Sequence, residues 1–189
     1  MKIGLYFGSF NPVHTGHCIV ASYFAQSTDL ERVWMVVSPQ NPFKPAASLL
    51  NEYHRLHLVK LATEDDARVK ASDIEFHLPR PSYTIDTLTY LQEKHPEHEF
   101  AIVLGSDGLQ NILKWKNAAT LLSNYPLYVY QRPGFPIPPL PGARISVADA
   151  PLLEISSTHI REMIRKGQSV RYLVPDKVLQ ELELYHYYR

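Results

Sequence analysis

The stretch Ile3-Gly4-Leu5-Tyr6-Phe7-Gly8-Ser9-Phe10-Asn11-Pro12-Val13-His14-Thr15-Gly16-His17, read IGLYFGSFNPVHTGH, contains a strand, a turn and a helix start in fifteen residues. Its apolar run from Ile3 to Phe7 suits a strand buried on both faces, and Gly8 ends it. Asn11-Pro12 imposes a fixed bend, and a helix opens at or near Thr15 and runs to about Ser27, with Ile19, Val20, Tyr23 and Phe24 as its apolar stripe. His14 and His17, three apart, then share one helix face at the mouth of a strand-to-helix turn.

Elsewhere the same alternation recurs. Arg32 to Ser38, Phe100 to Leu104, Leu127 to Tyr130 and Ala143 to Val147 read as strands, and Val69 to Phe76 as a weaker one. Helical patterns cover Asn51 to Thr63, Ile85 to Lys94, pieces of Asp107 to Leu122, Thr158 to Lys166, and Pro175 to Tyr187 with proline in its first turn. Strands alternating with helices predict a Rossmann-like, doubly wound parallel sheet in three α/β/α layers, with ligands at the C-terminal strand ends. At 189 residues the chain is expected to form one domain, 1–189.

Composition narrows the function classes. Lys plus Arg and Asp plus Glu each number 19, so the formal charge is zero, and no broad attraction to nucleic acid or anionic membrane follows. No apolar run reaches the roughly 18 residues of a membrane span, and the single cysteine, Cys18, fits a reducing compartment; a cytoplasmic setting is expected. The proline-rich segment RPGFPIPPLPG, residues 132–142, reads as a surface loop.

A lone histidine is more often a satisfied structural residue than a tool, but two flanking a glycine at a helix start suit an oxyanion, with the helix amides and dipole adding to their N–H donors. Zinc is the rival, yet a catalytic zinc site needs a third ligand and no H-E-x-x-H occurs. G-x-G-x-x-G and the P-loop pattern are also absent, which disfavours a nicotinamide redox enzyme and a P-loop ATPase. Ile155-Ser156-Ser157-Thr158-His159-Ile160-Arg161 is a second constellation, either a well-capped helix or an anion site with Arg161 one turn in. Lys44 lies in a proline-flanked loop after the second strand, while Arg55 and the run Glu64-Asp65-Asp66 read as structural or solvated.

The opening motif resembles the G-x-F-x-P-x-H-x-G-H pattern of the adenylyltransferases and cytidylyltransferases, matched by Gly8, Phe10, Pro12, His14, Gly16 and His17. Within that superfamily the chain is similar to the bacterial nicotinate-nucleotide adenylyltransferases, whose Ser-Tyr-Thr-Ile-Asp-Thr-Leu segment is matched at Ser82 to Leu88. Their Gly-x-Asp is matched at Gly105-Ser106-Asp107, their Trp-Lys pair at Trp115-Lys116, and their Ile-Ser-Ser-Thr-x-Ile-Arg motif at Ile155 to Arg161. Phe7, Asn11 and Phe43 depart from the usual glycine, aspartate and histidine.

The resemblance implies adenylyl transfer from ATP to nicotinate mononucleotide in NAD biosynthesis. His14, His17, Lys44 and Arg161 would be catalytic. Gly8, Ser9, Phe10, Gly105, Asp107, Ser157 and Thr158 would join them around ATP, which brings Mg²⁺ on its phosphates. Ser82, Tyr83, Thr84 and Trp115 would take the mononucleotide; the residues themselves leave open whether Thr84 is a cap and Trp115 core. No protein metal ligands are implied, nor a nucleic-acid or membrane partner, and a homo-oligomer is open.

Overall fold

In the computed structural model, which describes residues 1–40 and 48–189, six strands form one parallel sheet. They are β1 (Lys2–Gly8), β2 (Arg32–Val37), β3 (Val69–Ser72), β4 (Glu99–Gly105), β5 (Leu127–Tyr130) and β6 (Ile145–Ala148). Their order is β3-β2-β1-β4-β5-β6, so the chain winds outward from β1 to β3 and then returns to the other side of β1. That reversal opens a crevice above the C-terminal ends of β1 and β4, the place where doubly wound sheets bind ligands.

Strand alternation sends side chains to two cores, one on each face. Val33, Met35, Val37, Ala101, Val103 and Tyr128 face one way, against α1 (Thr15–Ser27), α2 (Glu52–Thr63) and α7 (Asp176–Leu184). Ile3, Leu5, Phe100, Ile102, Leu104, Leu127 and Val129 face the other, against α3 (Thr84–Lys94) and α5 (Ala118–Asn124). The remaining helices are a short α4 (Ser106–Leu109) and α6 (Ser157–Arg165).

The expected layers and elements are present, and α1 and β5 begin and end where the pattern places them. The expected strand over Val69 to Phe76 is a correction, because β3 stops at Ser72 and a 3₁₀ turn, Ile74–His77, follows. The turn buries both Ile74 and Glu75. Among the described residues no helix is long and apolar enough to cross a membrane.

Candidate active site

Every site residue expected from the sequence, apart from Lys44, lines a single cleft of about 980 Å³ at the C-terminal strand ends. Lys44 lies outside the described residues. The cleft has two ends, one built by the turn after β1 together with α6, the other by the segment before α3.

At the first end, His14 is the N-cap of α1 and the two histidines cap the helix reciprocally. The His17 amide donates to His14 Nδ1 at 3.3 Å, and the His14 amide donates to His17 Nδ1 at 3.1 Å. With both Nδ1 atoms accepting, the proton of the neutral ring belongs on Nε2 in each case. The rings stack at 3.6 Å and 22°, and the His14 ring covers Gly16, where a Cβ would come within 2.9 Å of it. Burial, with Arg132 adding like charge, lowers His14 from 6.5 to about 4, so it is a neutral donor at pH 7.

The expected offer of bare helix amides is therefore narrowed. The His17 amide is taken by the His14 ring and the Thr15 amide donates to the Leu173 carbonyl at 2.9 Å, so the rings rather than those amides present donors. Phe10, 2% exposed, lies beneath Gly8 and meets the His17 ring edge-on at 5.0 Å. Its side chain supports a ring. Burial pushes the Cys18 thiol up to about 11, so it is a neutral thiol at pH 7. Among the described residues, the three-membered His/Cys/Asp/Glu cluster that converges is His95, Glu97 and His98, just before β4 and thus at the opposite end of that strand.

α6 starts beside this turn. Ser156 is its N-cap, accepting from the His159 amide at 3.1 Å, so Ser157 and Thr158 stand in the first turn at the cleft wall. The Ser157 hydroxyl donates to the Pro12 carbonyl at 2.8 Å, and Arg161 Nη1 donates to the Asn11 carbonyl at 2.8 Å. One arm of the expected guanidinium fork is thus tied to the backbone. Asn11 is a hub: its amide donates to the Ser48 carbonyl at 2.9 Å, while its oxygen accepts from the Leu50 amide at 3.1 Å and the Tyr188 hydroxyl at 2.6 Å. An aspartate could not make the donation to Ser48, which gives the departure at this position a physical reason.

Asp107 is turned back on Gly105, whose Cα leaves no room for a Cβ between the Asp107 carboxylate and the Tyr130 ring. Its other oxygen takes Arg132 Nη1 at 3.2 Å. Arg132 was missed in the sequence because the proline-rich segment reads as surface; the available signal was its place just past the end of β5. Ser106 fixes that exit by accepting from the Arg132 amide at 2.8 Å.

Arg55, read from the sequence as structural or solvated, is structural. Fully buried, it donates from Nη1 to the Ser9 and Ser38 carbonyls at 2.7 Å, from Nη2 to Pro39 at 3.1 Å, and from Nε to Leu50 at 2.7 Å. It therefore joins the turn after β1 to the exit of β2 and the entry of α2. The expectation that it was structural holds, but solvated it is not.

At the other end, Ser82 is buried and Tyr83 occupies the N-cap position of α3 with no side-chain capping bond. Thr84 is the first helical residue and does not cap, which removes that alternative. Trp115, half-buried, packs its ring on the core edge and also lines the cleft, so the two readings of it are compatible. Lys116 Nζ holds Asp86 at 2.8 Å and lies 4.9 Å from the centre of the Tyr83 ring.

Residues 5–163 match the cytidylyltransferase-like family model. A curated protein of Cytophaga hutchinsonii, named "Probable nicotinate-nucleotide adenylyltransferase", is 50% identical over 185 residues, covering 97% of this chain and 96% of its own. One of the same name from Flavobacterium psychrophilum is 47% identical over 192 residues and covers both chains fully. Among solved structures, the nicotinic acid mononucleotide adenylyltransferase of Plasmodium falciparum complexed with NaAD superposes with a TM-score of 0.84. It covers 99% of this chain and 97% of its own at 22% identity, a likeness of fold.

Proposed function

This chain belongs to the nicotinate-nucleotide adenylyltransferases within the cytidylyltransferase-like family, and we propose that it carries the adenylyl group of ATP to the 5′-phosphate of nicotinate mononucleotide. The products are nicotinate adenine dinucleotide, a step of NAD biosynthesis, and pyrophosphate. The mononucleotide phosphate attacks the α-phosphorus of ATP, one P–O bond forms, and the bond to the bridging oxygen breaks. The nucleophile is already anionic at pH 7, so no general base is required; the barrier is misalignment and repulsion between two anions.

The reciprocal histidine cap carries this reading. It fixes both rings by backbone bonds and puts a donor proton on each Nε2, an arrangement that suits charge developing on phosphate oxygens and is poor for taking up a proton. His17 acts on the α-phosphate and His14 on the bridging and β-phosphate oxygens. Arg161, with the first turn of α6 at Ser157 and Thr158 and with Lys44, steadies the leaving pyrophosphate. Asp107 accepts from a ribose hydroxyl, held at its angle by Arg132.

Magnesium arrives on the triphosphate. Of the carboxylates among the described lining residues, Asp107 is engaged by Arg132, Glu75 Oε1 by Thr87, and Glu154 is exposed on a third segment, so phosphate oxygens and water would supply most of the ion's shell. On the pyridine side, the uncapped first turn of α3 offers amides to a carboxylate and Trp115 stacks on the flat ring, which favours the acid over the amide. A reducing, cytoplasmic setting fits the lone Cys18.

Incubation with ATP, Mg²⁺ and nicotinate mononucleotide is expected to release pyrophosphate and form the dinucleotide. Failure to release it with any pyridine mononucleotide would overturn the assignment.

A further inference from the structure

Glu75 is a buried carboxylate to which the phosphate chemistry gives no task. It is 2% exposed, it lines the cleft, and it sits in the 3₁₀ turn after β3, beside the segment that leads into α3. Its Oε1 accepts from the Thr87 hydroxyl at 3.1 Å, and Thr87, wholly buried on α3, also reaches the Tyr83 carbonyl at 3.3 Å. Its Oε2 is buried and, among the described residues, makes no hydrogen bond. The same is true of one other atom of this wall, the Ser82 hydroxyl.

A buried acceptor and a buried donor left unpaired in one wall are expensive, and such pairs are rarely left without a purpose. Burial pushes the Glu75 carboxyl up, and the hydroxyls of Ser38, Thr87 and Ser82 lie close enough to pull it back down. Those three hydroxyls belong to three different segments: the exit of β2, the loop before α3, and α3 itself.

We propose that Glu75 is the positioning residue of the pyridine side, gathering the Thr87, Ser82 and Ser38 hydroxyls so that the Tyr83 and Thr84 amides meet the mononucleotide at the angle that selects its carboxylate. The Ser82 hydroxyl closes onto Oε2 as the ligand draws the loop in, pairing the two unsatisfied atoms. Glu75 does not touch the substrate. It acts through the loop, and since amide-to-carboxylate hydrogen bonds are directional, a small tilt of Tyr83 and Thr84 weakens the acid more than the amide.

This inference rests on the adenylyl-transfer reading, and steady-state kinetics with both pyridine mononucleotides test it. Glu75→Ala is expected to raise KM for nicotinate mononucleotide about tenfold with KM for ATP within about twofold, and to lower the acid-over-amide ratio of kcat/KM by a similar factor. Glu75→Gln, which keeps a carbonyl acceptor for Thr87, recovers most of the loss. Thr87→Val, which keeps shape and removes the donor, gives a smaller rise of the same kind and serves if Glu75→Ala does not fold. A folded variant with unchanged mononucleotide KM and unchanged acid-over-amide ratio overturns the proposal, as does an equal rise in both KM values. If the wild type turns over no pyridine mononucleotide, the function assignment fails separately. Amide hydrogen exchange at Tyr83 and Thr84 then decides, with faster exchange than wild type expected in Thr87→Val and equal exchange overturning it.

Discussion

The two ends of the cleft are built on opposite plans. At the phosphate end most polar groups satisfy one another before any ligand arrives, His14 with His17, Ser157 with Pro12, Arg161 Nη1 and Tyr188 with Asn11, and Arg161 Nε is the buried exception among the described residues. At the pyridine end, among the described residues, the first turn of α3 has no side-chain cap, and Glu75 Oε2 and the Ser82 hydroxyl lack partners. On the proposed function the difference follows from what each end would do. Charge that moves during the reaction calls for donors that need not rearrange, whereas choosing between two flat rings can use a wall that completes itself on the right one.

The largest test of this contrast is His17→Ala, expected to lower kcat by about 10²-fold or more, as loss of a transition-state donor does. The loss should be equal for acid and amide mononucleotides; a loss confined to one of them would put His17 on the wrong side of the comparison. Retained kcat in pyrophosphate-release assays would make the ring structural.

Acid should expose the cost of the preassembled end. His14 titrates at about 4 in the folded protein against 6.5 for an ordinary histidine, so the unfolded chain binds the extra proton between those values. Stability from this group is complete above about pH 6.5 and falls as pH drops, by about 2 kcal/mol at pH 5 and about 3 kcal/mol below pH 4. Urea titrations at pH 7 and pH 5 should show this slope in the wild type and its absence in His14→Gln.

Trp115→Ala sharpens the other side. Removing a stacking ring is expected to raise mononucleotide KM about tenfold while ATP KM stays put. Tyr188→Phe should cost about 1 kcal/mol in urea unfolding, the ordinary worth of one hydrogen bond, and move ATP KM only a few-fold. An effect on mononucleotide KM instead would break the division between the ends.

Much of this was legible in the chain. The strand, turn and helix of residues 3–17 are local, and a run such as Leu127 to Tyr130, bounded by proline and polar residues, marks its own ends. The site motifs likewise place their residues around one cleft, because the C-terminal strand ends collect the loops that carry them. The partners of Arg55 and the places of Glu75 and Arg132 were not legible. The partners of Arg55 are backbone carbonyls from three separate segments, and a carbonyl leaves no mark in a sequence. Glu75 fell inside a stretch expected to be a strand, Val69 to Phe76, and the 3₁₀ turn that places it at the cleft has no mark of its own in the sequence. Arg132 sat at the edge of a segment whose prolines proclaimed a surface.

The bonds that complete the phosphate turn are long ones in the chain. Asn11 waits for Arg161, 150 residues on, and for Tyr188, 177 residues on, while Pro12 waits for Ser157. Contacts of such separation close large loops and tend to form late, whereas neighbouring strands β1 and β2 need only the short excursion through α1. In a refolding chain the β1–β2 pair is therefore cheap to close, while the pairing of β1 with β4, 97 residues on, and the bonds to Asn11 and Pro12 carry the larger loop-closure cost.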